Sequence, residues 1–321
     1  MKLVEGVYES LISTAIAEKL QRDFPDSSYH VEKEPIDSAE SHMMLAQYLA
    51  DIVSVVLKEY FRDRKEVVTI SKQVDCVNKI LHFIENEWQV TALEDDMLTK
   101  EDETNFLRAI YSKTWYSEEQ IKHKAQIHPE SGYRVSNLFT GTNGLSIDEE
   151  IKKDIQTADS IDLVVSFIKF TGLRLLYDEL KKFIAKKGTK LRILTTTYMG
   201  ATDVKAVKTL MELKELGDVE IKASFNKDDE RLHAKAYIFK RENGFDTAYI
   251  GSSNISRSAL TKGLEWNMRV TNVENPHIIR STQATFDSYW NSAAFEPSLG
   301  SGYKYRSEIL YLYCFVGKHT Y

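Results

Sequence analysis

Cysteine is nearly absent from the 321-residue chain: Cys76 and Cys314 are the only two. They lie far apart and without metal-ligand spacing. No disulfide framework and no thiolate metal site is therefore expected, and the setting reads as a reducing cytoplasm. Positive charge is not in excess either. The 42 Lys and Arg against 48 Asp and Glu leave a net charge of −6, which excludes a wholly basic nucleic-acid coat but allows a local basic groove. No apolar run approaches the length needed to span a bilayer; ILYLYCFVG near the end is far too short. The start, MKLVEGVYESLI, has no basic segment leading into an apolar one, so no signal peptide is expected. Internal repeats and low-complexity segments are also lacking. What is present is 42% hydrophobic content, over a length that suits two domains better than one.

The pattern divides the chain near residue 128. Before it, LVEGVYESLISTAIAEKL places Leu3, Val7, Leu11, Ile12, Ala15 and Ile16 on one helical stripe. DSAESHMMLAQYLADIVSVVLKEYF follows with Asp37 or Ser38 as its cap. SKQVDCVNKILHFIENEW and TKEDETNFLRAIY continue in helix, the latter capped by Thr99. IHPESGYRVSNLFTGTNG, with Pro129 and several glycines, breaks the periodicity and reads as a linker. Beyond it, SIDEEIKKDIQTA is a helix opened by a Ser146–Glu149 capping box. Strand-like runs then alternate with helices: IDLVVSFI, GLRLLYDELKKFIAKKG, LRILTTTY, DVKAVKTLMELKELG, VEIKASF and LEWNMRVT. NPHIIRSTQATFDSYW closes the series with Pro276 in its first turn. This predicts a helical domain at 1–128 and an α/β domain at 129–300, the latter a mixed, mostly parallel sheet flanked by helices. A tail of separate status occupies 301–321.

RLHAKAYIFKRENGFDTAYIGSSN, residues 231–254, reads as a hairpin. Asn243-Gly244 suits a two-residue type I′ turn. On that register Lys235 faces Ser252 and His233 faces Asn254, so all four project from one face and Leu232, Ala234, Ala236 and Ile238 fill the other. An imidazole, an ammonium, a hydroxyl and a carboxamide would then converge, a set suited to a phosphate. One extra loop residue would separate the two halves. Ser166 and Thr195, Thr196 and Thr197 fall at strand ends, where open α/β sheets place ligands; capping of the following helices explains them as well. Arg257, just past the turn, is a phosphate-contact candidate. Lys181, Lys182, Lys186, Lys187, Lys190 and Arg192 suit either a nucleic-acid backbone or a solvated helix face. Trp266 reads as core. His30 and Cys76 have no partners at ligand spacing.

At His233-Ala-Lys235 and Gly251-Ser252-Ser253-Asn254 the chain resembles the phospholipase D superfamily, whose signature is His-x-Lys followed by Gly-Ser-x-Asn. Glu265 stands where bacterial nucleases of that superfamily carry a histidine-orienting glutamate. Lys240 takes the place of the usual motif aspartate, within a hairpin longer by four residues, and Asp246 is its candidate substitute. The resemblance implies catalytic roles for His233, Lys235, Ser252, Asn254 and Glu265. It implies substrate contacts for Gly251, Ser253, Arg257, Ser166 and Thr196, and no metal or other cofactor. Residues 1–298 are also similar to the N-terminal region of large bacterial proteins that fuse such a nuclease domain to a superfamily II helicase motor. The chain has no Gly-x-x-x-x-Gly-Lys-Ser/Thr loop, so a motor would be a separate partner.

The superfamily likeness further implies two His-Lys motifs meeting across a twofold axis, one histidine attacking phosphorus and the other protonating the leaving oxygen. Only one such motif occurs, so a homodimer is expected. The expectation is a cytoplasmic, metal-independent DNA endonuclease with no membrane partner. A phospholipase-type phosphodiesterase, or a catalytically weak DNA-binding module of a helicase–nuclease defence system, are the alternatives.

Overall fold

The structure, a computed structural model, describes residues 3–8, 10–25, 28–59, 70–89, 96–98, 106–141, 144–196, 201–224, 232–261 and 263–297. The chain divides into two compact units, Met1–Arg108 and Ala109–Tyr321.

The first unit holds helices α1 (Thr14–Asp23), α2 (Ser41–Glu59) and α3 (Ile70–Trp88). The helix expected from Leu3 starts only at Thr14. Gly6 sits at a φ of 155°, which breaks the periodic run, and the Tyr8 hydroxyl closes a local loop on the backbone of Val4. Ser13 then caps α1 by accepting from the Ile16 amide. Neither Asp37 nor Ser38 caps α2 directly: Asp37 accepts from the Ala39 amide in a turn that precedes the helix. The Thr99 cap lies outside the described residues. Residues 106–112, expected to continue that helix, are not helical.

The second unit opens with α4 (Glu118–Gln126), which the periodicity missed although Ser117 and Gln120 form a reciprocal capping box. The expected linker contains β1 (Asn137–Phe139), an edge strand. There follow α5 (Ile147–Thr157), β2 (Ser160–Val164), α6 (Phe170–Ile184), β3 (Lys190–Thr196), α7 (Val204–Lys214) and β4 (Asp218–Ser224). The hairpin strands are β5 (Ala236–Lys240) and β6 (Thr247–Gly251). The short helix α8 (Arg257–Thr261), β7 (Asn267–Thr271), α9 (Pro276–Asn291) and β8 (Glu296–Pro297) complete the series. Ser146 makes no capping bond to the helix amides; its hydroxyl donates to Asp148 instead.

All eight strands form one sheet in the order β1-β7-β6-β5-β2-β3-β4-β8. The α/β architecture with a mixed sheet is as expected, but parallel pairing is confined to β2–β3 and β3–β4. Helical crossovers α6 and α7 impose it there, while every other pair is antiparallel. One face of the sheet packs on residues of α5, α6, α7 and α8, the other on α9.

Two buried ionic knots pin this arrangement. Asp154 of α5, fully buried, accepts from Arg241 (2.6 Å), Arg269 (3.1 Å), Tyr249 (2.7 Å) and Thr247 (3.2 Å). Arg269 also donates to the Gly132 carbonyl at 2.6 Å, so the segment read as a linker is bound to the sheet. On the opposite face Asp162 of β2 takes a bidentate Arg192 contact at 2.6 and 2.7 Å and an ion pair with Lys240 at 3.0 Å. The reversed charge at the motif-aspartate position thus has a buried acidic partner.

Candidate active site

The hairpin forms, but one residue out of the expected register. Ala236 faces Ile250 and Phe239 faces Thr247. Gly244 has a φ of 78° while Asn243 does not reach positive φ, so the type I′ turn is absent. Instead the Gly244 amide donates to the Arg241 carbonyl at 2.9 Å, and the Arg241 amide donates to Asp246 Oδ1 at 2.7 Å. This wider loop over 241–245 is stabilised by Asp246 and by the anchoring of Arg241 on Asp154.

The shift changes how the site is assembled. The Lys235 carbonyl accepts from the Gly251 amide at 3.2 Å, so Lys235 faces Gly251 and not Ser252. His233 and Lys235 share the face of Tyr237 and Phe239, while Ala236 and Ile238 join the core under α9, with Leu232 packed against it. Asn254 arrives by another route. After Gly251 the chain leaves the ladder, and Ile255 bridges in parallel to Ile168 beyond the end of β2. There Asn254 Oδ1 accepts from the amides of Ser166 (2.9 Å) and Phe167 (3.2 Å). With Oδ1 committed to two donors, the amide nitrogen is the group left to donate to a ligand. Val164 pairs with Ala236, so continuing that register sets Lys235 beside the Ser166–Phe167 turn that holds Asn254. A loop, not strand pairing, brings these residues to one end of the sheet.

Lys235 is buried and folds back on its neighbour: Nζ lies 3.0 Å from His233 Nδ1 and donates to the His233 carbonyl. Burial pulls its ammonium below the ordinary lysine value, and the Glu265 charge works the other way. An ammonium donating to Nδ1 leaves the ring proton on Nε2. No hydrogen bond joins Glu265 to His233, the residue it is expected to orient; Nδ1 faces Lys235 instead. Glu265 is half-buried and lines a cleft of about 200 Å³ with Phe139, Ile147, Ala259 and Asn267.

The other candidates separate into exposed and buried. Ser252 is exposed, and its Oγ accepts from the Trp266 amide at 3.1 Å. Trp266 is 66% exposed and not core. Ser166 Oγ is buried and makes no hydrogen bond. Arg257 is exposed at the start of α8. Thr196 spends its hydroxyl on the Ser224 carbonyl, tying β3 to β4. Ser253 is fully buried and its hydroxyl donates to the Ala259 carbonyl, so it faces away from any substrate. The lysine cluster lies at the far end of α6, which starts beside Ser256, where Gly172 packs. That helix spans roughly 22 Å, and Lys182, Lys186 and Lys190 are engaged by Glu179, the Gln156 carbonyl and Glu220. Among the described residues no group of three or more metal-ligating side chains is assembled, and no helix is long and apolar enough to cross a membrane.

Gly251 is required by packing. A Cβ there would lie 2.2 Å from the Trp266 carbonyl oxygen and 2.6 Å from Asn267 Oδ1, both of which are held by hydrogen bonds to the loop. Gly251→Ala is expected to destabilise the fold by about 1–3 kcal/mol, a loss that thermal unfolding measures directly.

Residues 151–290 match the family model described as cardiolipin synthase, PLD-like domain. No curated protein matches the chain in sequence. Among solved structures it is similar to Nuc of Salmonella typhimurium, described as a phospholipase D family member. That match has 21% identity over 49% of this chain and 95% of that one, with a TM-score of 0.36. NucT of Helicobacter pylori matches at 13% identity over 48% and 94%, with a TM-score of 0.34. Phosphatidylserine synthase of Haemophilus influenzae matches at 12% identity over 72% and 59%, with a TM-score of 0.38. From residue 151 to 290, then, the chain is similar to phospholipase D-like domains.

Proposed function

We propose that the chain is a cytoplasmic phosphodiesterase that cleaves DNA through a phosphohistidine on His233, in a site completed by a second copy. The observation that supports it most is the pairing of a buried Lys235 with His233 beside Asn254, whose amide nitrogen is left to face a ligand. This is half of a symmetric phosphate site, and the sequence holds that half once.

In the resting arrangement Lys235 occupies Nδ1 of His233. A bound phosphodiester draws the ammonium onto a non-bridging oxygen, where it and the Asn254 amide neutralise developing charge. With Nδ1 released, the ring proton passes through solvent from Nε2 to Nδ1, where Glu265 holds it, and the bare Nε2 attacks phosphorus. The N–P bond forms, the P–O bond to the leaving sugar breaks, and the alkoxide takes a proton from the second copy's histidine. That histidine then accepts a proton from water, whose oxygen displaces His233 and leaves a phosphate monoester. No step calls on a metal.

The preference for DNA rests on the likeness of residues 1–298 to nuclease–helicase fusions. Residues 129–300 are the nuclease module in this reading, and a helicase motor is its possible partner. A phospholipid diester is the second reading, favoured by the description of the matching family model. Cleavage of plasmid, single-stranded DNA and phosphatidylglycerol vesicles in excess EDTA tests both. The expected result is DNA cleavage that survives chelation. Turnover of lipid alone supports the second reading, and metal-dependent cleavage contradicts the mechanism.

A further inference from the structure

We infer that Asn267 and Tyr237 are positioning residues of this site, clamping Ser253 so that Ser252 and Asn254 are held against the strand that carries Lys235. The inference rests on the catalytic reading given above, which assigns no role to either residue.

Ser253 is completely buried, yet each of its polar groups is satisfied. Its amide donates to Asn267 Oδ1 at 3.3 Å, and Asn267 Nδ2 donates to its hydroxyl at 2.8 Å. That hydroxyl donates onward to the Ala259 carbonyl, and the Ser253 carbonyl accepts from the Tyr237 hydroxyl at 3.1 Å. One residue is thus fastened from β7, α8 and β5. Its neighbours on either side are Ser252, exposed to a ligand, and Asn254, bound to the end of β2. Tyr237 lies two residues beyond Lys235 on the same face, so its hydroxyl spans from the lysine strand to the Gly-Ser-Ser-Asn loop. Asn267 lies two residues beyond Glu265 and lines the same cleft. Asn267 itself is buried, and its Oδ1 sits where a Cβ on Gly251 would fall, so the loop can approach β7 this closely only over a glycine.

A buried asparagine used in both directions is a selective clamp. Asn267→Asp retains the shape but removes the donor to Ser253 Oγ and sets two acceptors around one hydroxyl proton. Burial and the nearby Glu265 charge push the Tyr237 phenol well above its ordinary range, so it remains a donor wherever the enzyme works and the clamp is not a pH switch.

The test uses the full chain and bis(p-nitrophenyl) phosphate. Tyr237→Phe, Asn267→Asp and Asn267→Ala are expected to lower kcat by about 10- to 100-fold, with KM within about twofold and an unmoved pH profile. Hydrogen exchange at the Ser166 and Phe167 amides should accelerate in the same variants, because Asn254 Oδ1 is no longer held in place. Wild-type kcat together with wild-type exchange at those amides, in folded Tyr237→Phe and Asn267→Asp, overturns the inference. An inactive wild type would count against the catalytic reading alone, since amide exchange still decides whether the clamp positions Asn254.

Discussion

Replacing His233 by asparagine is expected to lower kcat for a phosphodiester by roughly 10⁴–10⁶-fold, the loss seen when a covalent nucleophile is removed from a preorganised site. The fold should be indifferent to the change. His233 is exposed, precedes β5, and among the described residues its ring hydrogen-bonds to Lys235. Lys235→Ala should cost less, about 10²–10³-fold, because Asn254 and the second copy's groups still face the phosphate. The proposed twofold arrangement carries a consequence that a self-sufficient monomer would not show. A mixed pair of wild-type and His233→Asn chains holds one histidine, which cannot both attack and protonate. Titrating wild type with a refolded excess of the variant should therefore depress turnover per wild-type chain toward zero. Unchanged turnover per wild-type chain would argue for a site complete within one copy.

The largest effect on stability is expected at Asp154, far from that chemistry. Asp154→Asn leaves Arg241 and Arg269 buried without their carboxylate, and breaking a buried ion pair in this way costs about 3–5 kcal/mol. For a unit of this size that corresponds to a fall in Tm of roughly 6–20 °C. The pH dependence has a definite sign. Burial alone would raise the Asp154 carboxyl, but Arg269 and Arg241, with the bonds from Arg269 and Tyr249, hold it below its ordinary value of 3.8. A depressed carboxyl contributes stability that is fully present above that ordinary value and is lost as pH falls through the lower folded one. Wild-type stability should therefore show no Asp154-linked change between pH 5 and 7 and should drop under more acidic conditions. The variant should be weak throughout that range and lose less on acidification, which urea unfolding across pH would reveal.

These two residues mark what was legible in the sequence and what was not. The alternation from β2 to β4 could be read directly because each of these strands carries β-branched residues and follows a helix with its own period. The His-Lys and Gly-Ser-Ser-Asn motifs were visible because they are local. The register between them was not. It depends on whether Asn243-Gly244 closes a turn alone, and here Asp246 and the burial of Arg241 against Asp154 add a loop residue. That decision is made by a carboxylate 87 positions away in the chain. Trp266 was misread for a related reason: its backbone, not its ring, is bound to Ser252. The linker reading failed because β1 is short and owes its existence to the neighbouring β7 and to the Arg269 contact with Gly132. Asn267 and Tyr237 carried no motif, and their roles are visible only once the loop is folded over them.

The most direct test of the central claim is to trap the intermediate. The 321-residue chain would be mixed with a phosphodiester substrate, quenched in alkali within the first turnovers, and digested for mass spectrometry. A covalent phosphoryl adduct on the peptide bearing His233, stable to base, labile to acid and absent from His233→Asn, is the predicted result. Turnover without any adduct, or an adduct on another residue, would contradict the mechanism.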